Sequence, residues 1–289
     1  MTGLQTSTST PTTLDGIKRL AKRIRAQQGL QHARALDQAA VQSGFNNWID
    51  ATRRLPVRPS SAGPRKPPVQ PGYEVRITIG WRDREARQAG VESLSVRLSR
   101  PLLEVVSPAQ MRIADRLGHL RVIGDNHLAA RDLDHSQQSA RWAICQALRT
   151  LQFIDVTGLR PSTSRYRAYP NGAYRAEAPG VDHPTTWYDP KAKAYLIADE
   201  PYPMSDSRLQ ERAAWADEHG FIIAKADRWG MYRPDGGVEF YLITDGRKGY
   251  DPSPLIAAVN ALGAPISETP WSGTSSAFDA ARLQPQRSA

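Results

Sequence analysis

Three groups of residues in the sequence carry side chains and spacings that could do chemistry. Asp199-Glu200 and Asp245 each end an apolar run, and Asp182-His183 precedes the first of them. Paired carboxylates suit general acid-base work or a cation site, and a neighbouring imidazole titrates near neutrality. An Asp followed by Glu-Pro or by Gly is equally ordinary turn chemistry. Asp199 and Asp245, with Trp229 and Tyr232, define a candidate pocket for an enzyme or small-ligand-binding protein.

His127 and His135 bracket Arg131-Asp132-Leu133-Asp134, which offers nitrogen and oxygen donors; a solvated loop leading into a helix explains the same residues, so no metal is expected. The one cysteine, Cys145, sits at helical spacing among apolar residues and reads as packed and inert, which excludes disulfides and thiolate metal sites. The sequence contains no phosphate-binding Gly-rich loop, nucleophile elbow or His-Glu-x-x-His helix. No catalytic residue and no cofactor are therefore assigned. The aromatics Trp187, Tyr195, Tyr202, Trp215, Trp229, Tyr232 and Tyr241 crowd the second half; they read mostly as core, with some available to line a groove for stacking.

The charge distribution points elsewhere. Residues 1–66 hold eleven Lys/Arg against three acids, which is +8 of the chain's total of +9, and the remainder is nearly balanced. Excess positive charge at one end is the footprint of a region that meets a polyanion; a solvated, solubilising face has the same composition. Within this region Asp15 is placed to cap a first helix whose Ile17, Leu20, Ala21 and Ile24 recur at helical spacing. A second helix is predicted over about Gln31 to Ser43, stopping at Gly44, and a third after Phe45-Asn46-Asn47-Trp48, through Leu55. Phe45 and Trp48 are the expected anchors of this marginal core. Three short helices resemble helix-turn-helix architecture, a pattern shared by many helical hairpins. The residues expected to contact nucleic acid, or an acidic protein, are Lys18, Arg19, Lys22, Arg23, Arg25, Arg53 and Arg54.

The domain division expected is a tail over 1–13, the basic module over 14–55, a linker over 56–72 with six prolines, a main domain over 73–262 and a second tail over 263–289. The main domain opens with period-two alternation at Tyr73, Val75, Ile77 and Ile79, repeated at Leu94-Val96-Leu98, and Leu102 to Val106 reads as a short apolar strand. Ser107-Pro108 starts a helix, Leu120 to Ile123 reads as a strand, and Ser139 to Phe153 as the longest helix. Further on, Trp187 to Asp199 and Met231 to Asp245 echo one another about 44 positions apart, each reading as a β-hairpin followed by a helix. The fold class expected is α+β: an antiparallel sheet with helices on one side, preceded by a small three-helix module.

Two segments carry a resemblance. Ala35-Leu36-Asp37 with Gly44 to Trp48, behind the basic first helix, resembles a small module of plasmid- and mobile-element-associated bacterial proteins, sometimes described as glyoxalase-related. Tyr73 to Trp81, Thr157 to Ser162, Tyr195 to Tyr202 and Trp229 to Pro234 resemble the uncharacterised proteobacterial family DUF5623, and together the two cover residues 14–262. The resemblance implies a bacterial cytoplasm and no particular activity. The glyoxalase fold places His and Glu ligands on paired βαβββ units, and this sequence offers no such set. No stretch reaches the length of a membrane span and the first residues have no leader pattern, so the expectation is a soluble cytoplasmic protein with no membrane partner. The function expected is non-enzymatic and accessory, with nucleic acid or an acidic protein as partner.

Overall fold

The computed structural model describes residues 11, 13–55, 72–83, 85, 87–133, 136–172 and 176–279. The linker expected over 56–72 lies outside these residues except for Gly72, as do most of the first expected tail and residues 280–289 of the second. The chain divides into two compact units, residues 1–68 and 69–289.

The first unit is three helices: α1 (Leu14–Gln28), α2 (His32–Gln42) and α3 (Trp48–Arg54). Helix α1 starts two residues earlier than the acid-cap reading required, so Thr13 rather than Asp15 is the N-cap, accepting the Gly16 amide at 3.1 Å. Gly29 ends it in the left-handed conformation at φ 65°. Asn47 caps α3 by accepting the Asp50 amide at 2.8 Å. The core is built from Ile17, Ala21 and Ile24 of α1 against Ala35, Ala39, Ala40 and Ala51, with Phe45 and Trp48 packed at its margin rather than at its centre.

The second unit holds two five-stranded sheets where one was expected. The first has β1 (Tyr73–Asp83), β2 (Gln88–Leu98), β3 (Arg121–Gly124), β4 (His127–Leu133) and β10 (Thr274–Asp279) in the order β10-β2-β1-β4-β3. It is mixed, because β1 and β4 run parallel with Ile77 opposite Leu128. The second has β5 (Arg160–Pro161), β6 (Thr185–Asp189), β7 (Ala194–Asp199), β8 (Phe221–Lys225) and β9 (Tyr241–Asp245) in the order β5-β6-β7-β9-β8, antiparallel throughout. The alternation in β1 is borne out from Val75 onward, with Val75, Ile77 and Ile79 fully buried and Arg76 exposed, whereas Tyr73 at the start of the strand is exposed like Glu74.

The long helix α6 (Gln137–Thr157) is common to both sheets, packing on β1 and β2 and carrying Phe153 to within 4.8 Å of the Trp187 ring in β6. Its helix-wide burial explains the run Ile144 to Leu151. Helices are not confined to one side of the second sheet. Leu196 and Ala198 of β7 face α6, whereas Ile197 faces Trp215 of α7 (Asp206–His219). A strand covered on both faces reads as a continuous apolar run, as Tyr195 to Ala198 does.

Three further elements differ from expectation. Leu102–Val105 is a short helix, α4, because the Pro101 carbonyl accepts the Val105 amide and the Asn126 side chain accepts the Leu102 amide, so Leu102 and Val105 are buried while Leu103 stays exposed. Helix α5 (Pro108–Ile113) starts where expected, with a capping box between Ser107 and Gln110. The second of the echoed segments is not a hairpin: β9 pairs with β8 and β7, and Pro234–Gly236 is a 3-10 turn in the connection. Residues beyond 262 are not all tail, since after α8 (Ser253–Asn260) Ile266 and Trp271 pack on the core and β10 adds to the edge of β2.

Candidate functional site

Strands β7 and β9 are antiparallel, with Ile197 opposite Ile243, so Asp199 and Asp245 lie at opposite ends of the pair and do not converge. The equivalent placement expected from two like hairpins fails because the second hairpin does not form. Asp245 is held by Arg247 at 2.9 Å and Lys248 at 3.2 Å, and these cations keep its carboxyl below the usual carboxylate range. Trp229 is core, 6.0 Å from the Phe153 ring. It also lines a cleft of about 710 Å³ with Phe240, Val238, Pro234 and Pro265, and neither Asp199 nor Asp245 reaches that cleft.

Asp199 and Tyr232 belong instead to one connected polar network. Asp199 Oδ2 accepts from Arg212 of α7 at 2.5 Å and Oδ1 from the Asp182 amide at 2.9 Å. Burial pushes its carboxyl up to about 6, against the pull of Arg212 and of that amide. The next residue, Glu200, accepts from Arg116 at 2.7 Å and from the Tyr232 amide at 2.6 Å. The Tyr232 carbonyl in turn accepts from Gln146 and Arg149 of α6 at 3.1 and 2.7 Å. On the outer side, His183 lies 4.1 Å from the Tyr232 ring and 6.1 Å from that of Tyr202, while Arg116 stands 5.5 Å over Tyr232. His183 adopts φ 49°, a left-handed conformation that costs a non-glycine residue about 1 kcal/mol or more.

The donor and acceptor inventory decides what this arrangement can do. Each oxygen of Asp199 and of Glu200 accepts a bond from a protein donor and both side chains are fully buried, so neither carboxylate faces solvent. Their function here is to tie β7 to α7, to α6 and to the chain around Arg116 and Tyr232. Arg116 and Arg149 had no sequence signal as site residues, because their partners are 84 and 82 to 83 positions away. Cys145 is buried and its thiol is pushed up to about 12 by burial, consistent with an inert packed residue. Among the described residues no group of three His, Cys, Asp or Glu is placed to hold a metal ion. His127 makes a hydrogen bond to Thr78 Oγ1 at 2.8 Å, and His135 lies outside the described residues.

In the helical unit, Lys18, Arg19, Lys22, Arg23 and Arg25 are all exposed along α1. Lys18 stands 6.0 Å over the Trp48 ring. Two carboxylates of this unit are engaged by their own chain: Asp37 accepts the Trp48 amide at 3.0 Å, and Asp50 accepts the Asn46 amide and pairs with Arg54 at 3.0 Å. Arg54 is thus committed to Asp50, and the side chain of Arg53 lies outside the described residues.

These features define an α+β protein with a helical N-terminal unit. No family model matches the chain, and no curated protein or solved structure is detectably similar to it. No helix among the described residues is long and apolar enough to cross a membrane.

Proposed function

We propose that this chain is a non-catalytic accessory protein that binds nucleic acid through its basic helical module, and that it is a DUF5623-type protein of the bacterial cytoplasm. The observation that carries the binding reading is the concentration of exposed positive charge on one helix of the module. Five cations, Lys18, Arg19, Lys22, Arg23 and Arg25, lie exposed along α1 in a region that holds eleven Lys/Arg against three acids. A surface of this kind attracts phosphates by counterion release and reads no sequence. The occupied carboxylates of Asp199 and Glu200 support the absence of catalysis in the same proposal.

The test is binding of the full chain to duplex DNA as salt is raised. Affinity should fall linearly on a log-log plot, and replacing Lys18, Arg19, Lys22 and Arg23 with Gln should flatten the slope by up to about 0.9 for each phosphate no longer neutralised. Binding that is absent at low salt, or a Gln variant that binds with the wild-type slope, overturns the reading.

A further inference from the structure

A row of alternating arginine and tyrosine side chains crosses the outer face of the second sheet. Tyr188 of β6 and Tyr195 of β7 are cross-strand partners with ring centroids 4.9 Å apart at 47°. Arg160 of β5 is in register with Tyr188 and shares its face. On the other side, Arg167 of the 3-10 turn Arg165–Ala168 stands 5.5 Å over the Tyr195 ring and 5.8 Å over that of Tyr166. It also donates to both hydroxyls, at 3.1 and 3.2 Å, which fixes the orientation of the two rings.

The row marks the place where the cover on this face stops. Ile197, two residues beyond Tyr195, is sealed under Trp215 beside its strand partner Ile243, whereas Arg160, Arg167 and Tyr166 are exposed and Tyr188 and Tyr195 partly so. Lys191 and Lys193, exposed in the β6–β7 turn, add to the positive charge at that end. Of the neighbouring carboxylates, Glu177 is balanced by Arg165, and Asp189 is buried, accepting from the Tyr250 hydroxyl at 2.7 Å and from the Lys191 and Ala192 amides, so it offsets one of the four cations Arg160, Arg167, Lys191 and Lys193. Arg160 and Lys191 also wall a cleft of about 430 Å³ that Glu104 and Asp155 line as well, Asp155 being held by Ser99 and Arg100.

We propose that this row is a binding surface for single-stranded nucleic acid. Aromatic rings interleaved with guanidinium groups offer unpaired bases planes to stack on and their phosphates cations to meet, a combination indifferent to sequence. The bases of a duplex are already stacked on one another and cannot reach the ring faces, so single strands are the class that fits. The surface stands on residues of the second unit and needs nothing from the helical module.

The experiment measures fluorescence anisotropy of the full chain with a labelled oligonucleotide of about 12 nucleotides and with the duplex of the same length. The wild type should prefer the single strand. Tyr188→Ala should weaken single-strand binding about tenfold and leave duplex binding unchanged. The double variant Arg160→Gln, Tyr166→Ala, which alters only exposed side chains, should also lower it and serves if Tyr188→Ala does not fold. Replacing Lys18, Lys22 and Arg23 with Gln separates the two proposals: if the module binds, both affinities fall together and the preference survives. Equal wild-type affinities for the two forms, or a single-strand preference retained by the folded variants of the row, overturns the proposal.

Discussion

Asp199 and Glu200 are consecutive, both fully buried, and each meets a different guanidinium: Arg212 at 2.5 Å for the first and Arg116 at 2.7 Å for the second. Successive residues at a strand end point to opposite sides, so one dipeptide anchors two separate parts of the fold. Removing one partner of such a pair leaves a charge in a dry interior, which costs about 3–5 kcal/mol, whereas replacing both with apolar groups is often neutral. Arg116→Ala should therefore destabilise strongly in denaturant melts, and Arg116→Met with Glu200→Leu should recover much of the loss. A double variant no more stable than Arg116→Ala would show that the Tyr232 amide, not the ion pair, is what Glu200 serves.

The first of these carboxylates should also shape the response to pH. The Asp199 carboxyl is raised to about 6 by burial, above its unfolded value near 4. Between those values the folded state binds more protons than the unfolded one, so the contribution of this group is full below about pH 4 and lost as pH rises through about 6. The stability of the wild type minus that of Asp199→Asn should accordingly fall with rising pH across this window, by at most about 1.4 kcal/mol per unit. A difference that rises over the same window would mean that Arg212 outweighs burial and holds the carboxyl low.

In the core, Leu196 and Leu242 are fully buried in adjacent antiparallel strands, and their neighbours Ile197 and Ile243 are direct cross-strand partners. Leu196→Ala and Leu242→Ala should each cost about 2–5 kcal/mol through reduced burial and the cavity left behind, while the exposed Lys191→Ala should cost little. Equal midpoints for all three in thermal melts would place the core elsewhere.

That pair also shows how far the sequence carried. Tyr195-Leu196-Ile197 and Tyr241-Leu242-Ile243 were legible as strands because buried β-branched and aromatic runs have few other uses, and Val75, Ile77 and Ile79 because one face of β1 is wet. Which strand pairs with which was not legible: Tyr232 and Pro234 repeat Tyr188 and Pro190 of the first hairpin, yet the backbone of Met231 and Tyr232 bonds to Glu200 and α6 side chains instead of a partner strand. The five residues from Leu102, four of them apolar, read as a strand although so short a run fits a helical turn equally well, and a distant amide acceptor, Asn126, accompanies the helix. Of the site, Asp199, Tyr232 and Asp182-His183 stood out by type, and the basic face of α1 by charge. Arg116 did not, because a lone arginine after a short helix has no local pattern to announce a buried partner.

The same limit hid β10, whose Thr-Ser-Ser-Ala sequence has no strand-like apolar pattern. Its place is specified by side chains far away in the sequence: Ser275 donates to Glu92 at 2.7 Å, and Arg141, bonded to Glu92 at 2.9 Å, donates to Ser275 at 3.1 Å and stands 5.2 Å over the Trp271 ring. Glu92, fully buried, also accepts from Gln137 and Trp81. The strand comes so close at Gly90 that a β-carbon there would collide with the Ser276 carbonyl oxygen and lie 2.7 Å from the Trp81 ring. Gly90→Ala should therefore push β10 off the edge of β2. Ser275→Ala, which removes one donor from an acceptor that keeps three, should cost only about 1 kcal/mol. Hydrogen exchange of the amides in residues 88–93 reads both: rapid exchange is expected in Gly90→Ala and near-native protection in Ser275→Ala. Native protection in Gly90→Ala would mean that β10 does not form the edge of the sheet in solution.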